Sequence, residues 1–182
     1  MARNTLSRSL HDVGLAAWFG GTLANAVSLN PAAAEASDSP DKGAVANAGW
    51  DRWTPVNAAA IGAHLIGSLG QLGGNKGRIA GQRGVASMAA TKTALTAAAL
   101  GVTAYSRLLG RKVSEERRMP AASGTEPESG TPPEVAAAQR QLRMLQWAVP
   151  ALTGTLLVVS SFAGEQQRAS EVRRGVLGRF MP

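Results

Sequence analysis

Four side chains in this sequence combine chemical reach with an apolar setting: His11, Asp12, Gln71 and Lys92. An imidazole titrates near neutrality, and a carboxylate beside it can steady the proton it carries. An ammonium placed inside a long uncharged run is costly, about 2.5–3.5 kcal/mol on the insertion scale, and calls for a partner. Asp12 is the natural counter-charge for Lys92, with His11 beside it as the titrating group. Such a cluster would serve proton- or ion-linked handling of a solute. A second reading of His11 and Asp12 is plain helix capping, since a carboxylate is favoured at a helix N-terminus.

The elements that must position these residues are four apolar segments, at about 11–30, 54–75, 84–106 and 143–164. Each approaches the ~20 residues that carry a helix across a bilayer core. The first, second and fourth have no charge over their central runs, whereas a soluble surface helix of that length would keep a charged face. The expected fold is therefore all-α, a transmembrane helical bundle of four spans. The alternative is three spans plus an interfacial helix. The fourth segment reads as the strongest, kinked at Pro150 with Trp147 at an interface. The third reads as the weakest, because it is mostly Ala and Thr around Lys92. With the N-terminus inside, four spans put nine Lys and Arg on each side; three spans put thirteen inside and six outside. The charge rule thus favours three spans, while the length and small residues of the third segment favour four.

Between the spans, 31–53 reads as a polar connection and 75–83 as a short basic turn. The stretch 119–133, "MPAASGTEPESGTPP", has the composition of a flexible linker. Thr131 is a candidate N-cap, with Pro132 and Pro133 opening the next helix. The tail 165–182 reads as a basic amphipathic anchor or a solvated end. The first segment also has the outline of a secretory signal, but its length and flanks favour an uncleaved span.

Heptad spacing keeps residues on nearly one helix face. His11, Trp18 and Asn25 share such a face, as do Asn57, His64 and Gln71. Thr96 and Thr103 follow in the third segment, and Gln146, Thr153 and Ser160 in the fourth. Each segment owns one polar stripe, which serves either as interhelical hydrogen-bond glue or as the wall of a polar path. Small-residue steps at Ala16/Gly20/Ala24, Ala63/Gly67 and Ala97/Gly101 favour close crossings.

Several classes fall away. No cysteine is present, so thiolate metal sites and cysteine nucleophiles are excluded. The net charge of +7 is scattered rather than striped, and no nucleic-acid motif accompanies it. Two histidines in a helical bundle raise the question of bis-histidine haem. Taking His11 at the end of its segment and His64 in the middle of its own, they differ by roughly 12 Å in height, which argues against it. No cofactor, no metal and no nucleic-acid partner are expected, and no catalytic set is present, so the chain is not read as an enzyme.

The run "HDVGLAAWFGG" resembles the first span of small, uncharacterised four-span bacterial membrane proteins. It is distantly similar to the membrane domain of copper-resistance proteins, whose first span also reads His, then Trp-x-Gly-Gly. His11, Trp18, Gly20 and Gly21 carry that likeness over about eleven residues. The expectation is a multi-pass protein of the bacterial cytoplasmic membrane, whose partners are the lipid bilayer and other membrane proteins or further copies. Its expected role is a scaffold or accessory subunit; the alternatives are a small carrier or ion-linked permease, and a soluble helical bundle.

Overall fold

The structure is a computed structural model that describes residues 4–115 and 120–165, with 168 and 176. The tail expected as an amphipathic anchor lies almost wholly outside the described residues. Helix α1 covers Thr5–Ala24 and continues through a π-helical turn, Asn25–Leu29, into α2, Asn30–Ala34. The widened turn sits just before Pro31, which has no N–H to offer the Val27 carbonyl. Helix α3 spans Ser39–Gly81, α4 Val85–Glu115 and α5 Pro133–Glu165. Strands β1, Ala121–Ser123, and β2, Glu126–Pro127, form an antiparallel pair between α4 and α5.

The boundaries follow local chemistry. Asp38 is extended ahead of α3, Pro40 lies in its first turn and Asp41 faces the positive end of the helix dipole. Gly84 turns the chain into α4 with φ +83°, a left-handed conformation that glycine adopts without strain. Pro133 and Glu134 open α5 in the same fashion as Pro40 and Asp41 open α3.

The long helices run up and down as neighbours around a ring. Gly14 meets Ala60 and His64, Gly21 meets Trp53, and Gly74 meets Asn4, so α1 and α3 are antiparallel. Lys112 pairs with Glu134 at 2.8 Å and Tyr105 bonds Gln141, so α4 and α5 are antiparallel as well. Phe19 lies on Gly154, which closes α1 onto α5. Leu15, Trp18, Ala60, Ala99, Val149 and Leu156 form the central core. A smaller core of Val113, Val135 and Ala138 ties α4 to α5 at the far end. The intimate pairs are α1 with α3 and α4 with α5; α3 and α4 touch far less.

Two helices are long and apolar enough to cross a membrane, α4 and α5, with mean hydropathy 1.3 and 1.4 over their best windows. The segment read as weakest therefore passes, while the first two do not. Arg8, His11 and Asp12 lower the mean hydropathy of α1, and glycine, His64, Asn57 and Gln71 lower that of the second segment. Only 11% of the α4 window and 22% of the α5 window are buried, so wide apolar faces stay uncovered.

Several connections are more ordered than their composition implies. Most of 31–53 is helical, and the basic stretch stays helical to Gly81, leaving a turn of three residues. The stretch expected as a flexible linker holds the β1–β2 pair against the bundle. Ser39 hooks it: the Ala121 N–H donates to Ser39 Oγ at 3.0 Å, and that hydroxyl also bonds Glu128. Gly124 lies so close to Ala46 that a Cβ there would sit 2.5 Å from the alanine methyl. Thr131 does not cap α5. Its hydroxyl donates to the Pro120 carbonyl at 2.6 Å and accepts from the Glu128 N–H, closing the hairpin base.

Candidate functional site

Two sets of polar groups occupy the bundle, one in the α1–α3 crossing and one along the α3–α4 seam. The crossing brings the two histidines together. Their ring centroids are 4.6 Å apart with planes inclined at 49°, and both side chains are buried, at 1% and 0% exposure. Trp18 closes the pocket, its ring 6.1 Å from His64. The expected 12 Å offset is thus corrected. It took His11 to mark a helix end, whereas α1 starts at Thr5 and α3 runs antiparallel beside it. Rings packed directly on one another leave no room for a macrocycle between them.

Glycine makes this approach possible. A side chain on Gly14 would strike the backbone of Ala60 and His64, and one on Gly67 would strike the backbone of Ser7 and His11. The arrangement is reciprocal: His11 is three residues before Gly14, His64 three before Gly67, and each glycine receives the other helix's histidine. The repeated pattern His-x-x-Gly at 11–14 and 64–67 is the sequence signal that the heptad reading passed over. Among the expected small-residue steps, Ala63/Gly67 lies in the crossing, with Ala63 against Gly14, whereas Gly20 and Gly101 face open space.

Hydrogen bonds orient both rings. His11 Nδ1–H donates to Asp12 Oδ1 at 2.7 Å, which leaves Nε2 a bare acceptor, buried and without a partner. His64 Nδ1–H donates to the His11 carbonyl at 3.4 Å, and its Nε2 accepts from Thr96 Oγ1 at 3.3 Å. Asp12 therefore serves His11. It remains 63% exposed, and no hydrogen bond or ion pair joins it to Lys92. Asp12 still faces Lys92 as a counter-charge at longer range, while its hydrogen bond goes to His11. Among the described residues no group of three or more His, Asp and Glu is placed to hold a metal ion.

Lys92 and Gln71 lie instead on the seam. There a cavity of about 400 Å³ opens near the α3–α4 turn, lined by Ser68, Gln71, Asn75, Arg78, Lys92 and Thr96 among apolar side chains. Arg78 is held by Asn75 and Gln82, at 3.3 and 3.0 Å. The Gln71 amide nitrogen is buried without a partner. Thr96 belongs to both sets, since it bonds His64 and lines the cavity.

A second cavity, of about 350 Å³, lies at the opposite end beneath the hairpin. Five of its lining side chains have a buried polar atom with no partner: Trp53 Nε1, Asn57 Oδ1, Thr103 Oγ1, Ser106 Oγ and Arg107 Nε. Buried polar atoms without partners are rare in a finished interior, and their concentration here marks a place for water or a ligand. Arg107 also reaches Asp51 at 3.0 Å. Asn30 is satisfied in full, by Trp50 Nε1 at 3.0 Å and by its own bond to Gln146 at 2.8 Å.

The expected stripes accordingly divide. Asn57, Thr103 and Gln146 line the far cavity and Thr96 the near one. His64 sits in the crossing. Asn25 begins the π-helical turn, with its amide nitrogen buried and unpartnered. Thr153 is fully buried and bonds back to the Val149 carbonyl of its own helix at 2.8 Å, so its hydroxyl neither joins two helices nor lines a cavity. Ser160 Oγ is buried without a partner and lines neither cavity.

Comparisons with protein-family models, with curated proteins and with solved structures find no match for this chain.

Proposed function

We propose that this chain is a four-span protein of the bacterial cytoplasmic membrane that carries a small solute between its two helix pairs. The observation that carries this reading is the pair of cavities at opposite ends of one loosely packed seam, α3 against α4. A scaffold would gain by closing that seam, whereas a carrier needs it open. The antiparallel ring of long helices and the uncovered apolar faces of α4 and α5 support the membrane setting. The His64 imidazole, bonded to Thr96 of the near cavity and packed on His11, sets a titratable ring beside that cavity.

A scaffold or accessory role is the second reading, favoured by the broad exposed face of α4 that includes Tyr105 and Leu108. Flux separates the two. Purified protein in lipid vesicles is offered labelled chloride, phosphate, alanine and glucose. The carrier reading expects at least one to enter faster than into protein-free vesicles, and expects Lys92→Leu to remove that excess. Folded protein that moves none of the four leaves the scaffold reading in place; flux indifferent to Lys92→Leu keeps a carrier but takes Lys92 out of its route.

A further inference from the structure

The two cavities are parts of one route. Lining residues of α3 recur every three or four positions from Asn47 to Ile79, and those of α4 from Val85 to Ser114. Each helix therefore presents a single continuous face to the seam along the length of the bundle. Leu100 lines both cavities. Ile61 ends the far lining on α3 and Leu65 begins the near one, so an apolar girdle at Leu100 divides two chambers, each a largely apolar space with a few polar groups.

Charge decides what such a route would accept. Three cationic side chains, Arg78, Lys92 and Arg107, line the chambers, and no Asp or Glu lines either. Asp51 pairs with Arg107 at 3.0 Å and offsets its charge, and Asp12 bonds His11, so the excess positive charge sits in the near chamber on Arg78 and Lys92. The unpartnered groups of the far chamber are mostly donors or hydroxyls: an indole N–H, a guanidinium N–H and two hydroxyls, with one Asn amide oxygen. Cationic linings select anions, and apolar constrictions hold a path shut until it is wetted. Cavities of a few hundred Å³ suit small ions and small organic acids.

We infer that the α3–α4 seam is a route for small anions, closed in this conformation by Leu100. The inference rests on the carrier reading and names its substrate class and its gate. Leu100→Ala should open a leak. Vesicles holding a chloride-quenched dye report chloride entry, and parallel vesicles holding a thallium-quenched dye report cation entry. The expected result is chloride entry about tenfold above wild type, no rise for thallium, and loss of most of the chloride leak when Lys92→Met is added. A leak equal for both ions overturns the anion assignment. No leak from protein that keeps its thermal unfolding transition overturns the route.

Leu100→Cys gives a milder second test, since the chain has no native cysteine. An anionic methanethiosulfonate should modify it faster than a cationic one, each measured relative to its rate with a free thiol, and Lys92→Met should erase the preference. No modification, or preference for the cation, counts against the route. Wild-type flux that persists while Leu100→Ala stays tight would discard this seam and keep the carrier; an anion-selective leak with no wild-type flux would do the reverse.

Discussion

At the scale of residues, the histidine pair is a packing element as much as a chemical one. His64 fills the space between His11 and Trp18 with no exposure of its own. Truncation to alanine leaves a void beside a rigid indole and frees Thr96, so His64→Ala should cost about 3–5 kcal/mol. Thermal or denaturant unfolding in detergent measures it; a cost near zero would mean the rings do not pack. At the surface, Lys112 lowers the pKa of Glu134 through a hydrogen bond and its charge. A depressed carboxylate contributes stability that is present above its unfolded pKa and lost as pH falls through the lower folded value. The pair is exposed, so the step is small. Lys112→Met should remove that small increment at neutral pH and change nothing once the pH is below the folded value, which flattens the acid side of the profile, as a melting series across pH would read.

At the scale of elements, the closest crossing depends on absent side chains. Gly67 lets α3 lie on the backbone of α1 at Ser7 and His11. Gly67→Val must push the helices apart or distort them, at a cost of about 1–3 kcal/mol, whereas Gly101→Val, which faces open space, should be nearly silent. Melting temperatures of the two variants in the same detergent test this directly, and equal losses would rule out the asymmetry. The small-residue steps were visible in the sequence, but their partners were not. A glycine every fourth residue looks the same whether it faces a helix or lipid, so Gly20 and Gly67 are alike on paper and differ in the bundle. The hairpin was hidden for a related reason. A stretch rich in Pro, Gly, Ser and Glu has the composition of a linker, and its order comes from outside itself, through Ser39, Ala46 and Asn30.

At the scale of the whole molecule, the antiparallel ring places the α3–α4 turn at one end and the hairpin at the other. The carrier reading puts the hairpin end outside. Thr125 is only 8% exposed, a poor site for a label, while Ser37 and Ser129 are open. Single variants Ser37→Cys and Ser129→Cys should both react with a membrane-impermeant maleimide in intact cells. Reaction at Ser37→Cys alone would mean that α4 does not cross. Reaction at neither, with both reacting after lysis, would invert the orientation.

Uncharged runs of about twenty residues were enough to reveal four long helices and an all-α fold, because helix length and hydrophobicity are local properties of the chain. The same reasoning found which polar residues lie within the bundle, Lys92, Gln71, Asn57 and Thr103 among them. Which of them meet was decided by the crossings. The His11–His64 contact and the seam that gathers Lys92 with Arg78 both depend on helix offset and rotation. Those are set by where glycines let two backbones approach; the His-x-x-Gly repeat places a glycine beside each histidine, but the spacing within either helix does not say that the two meet.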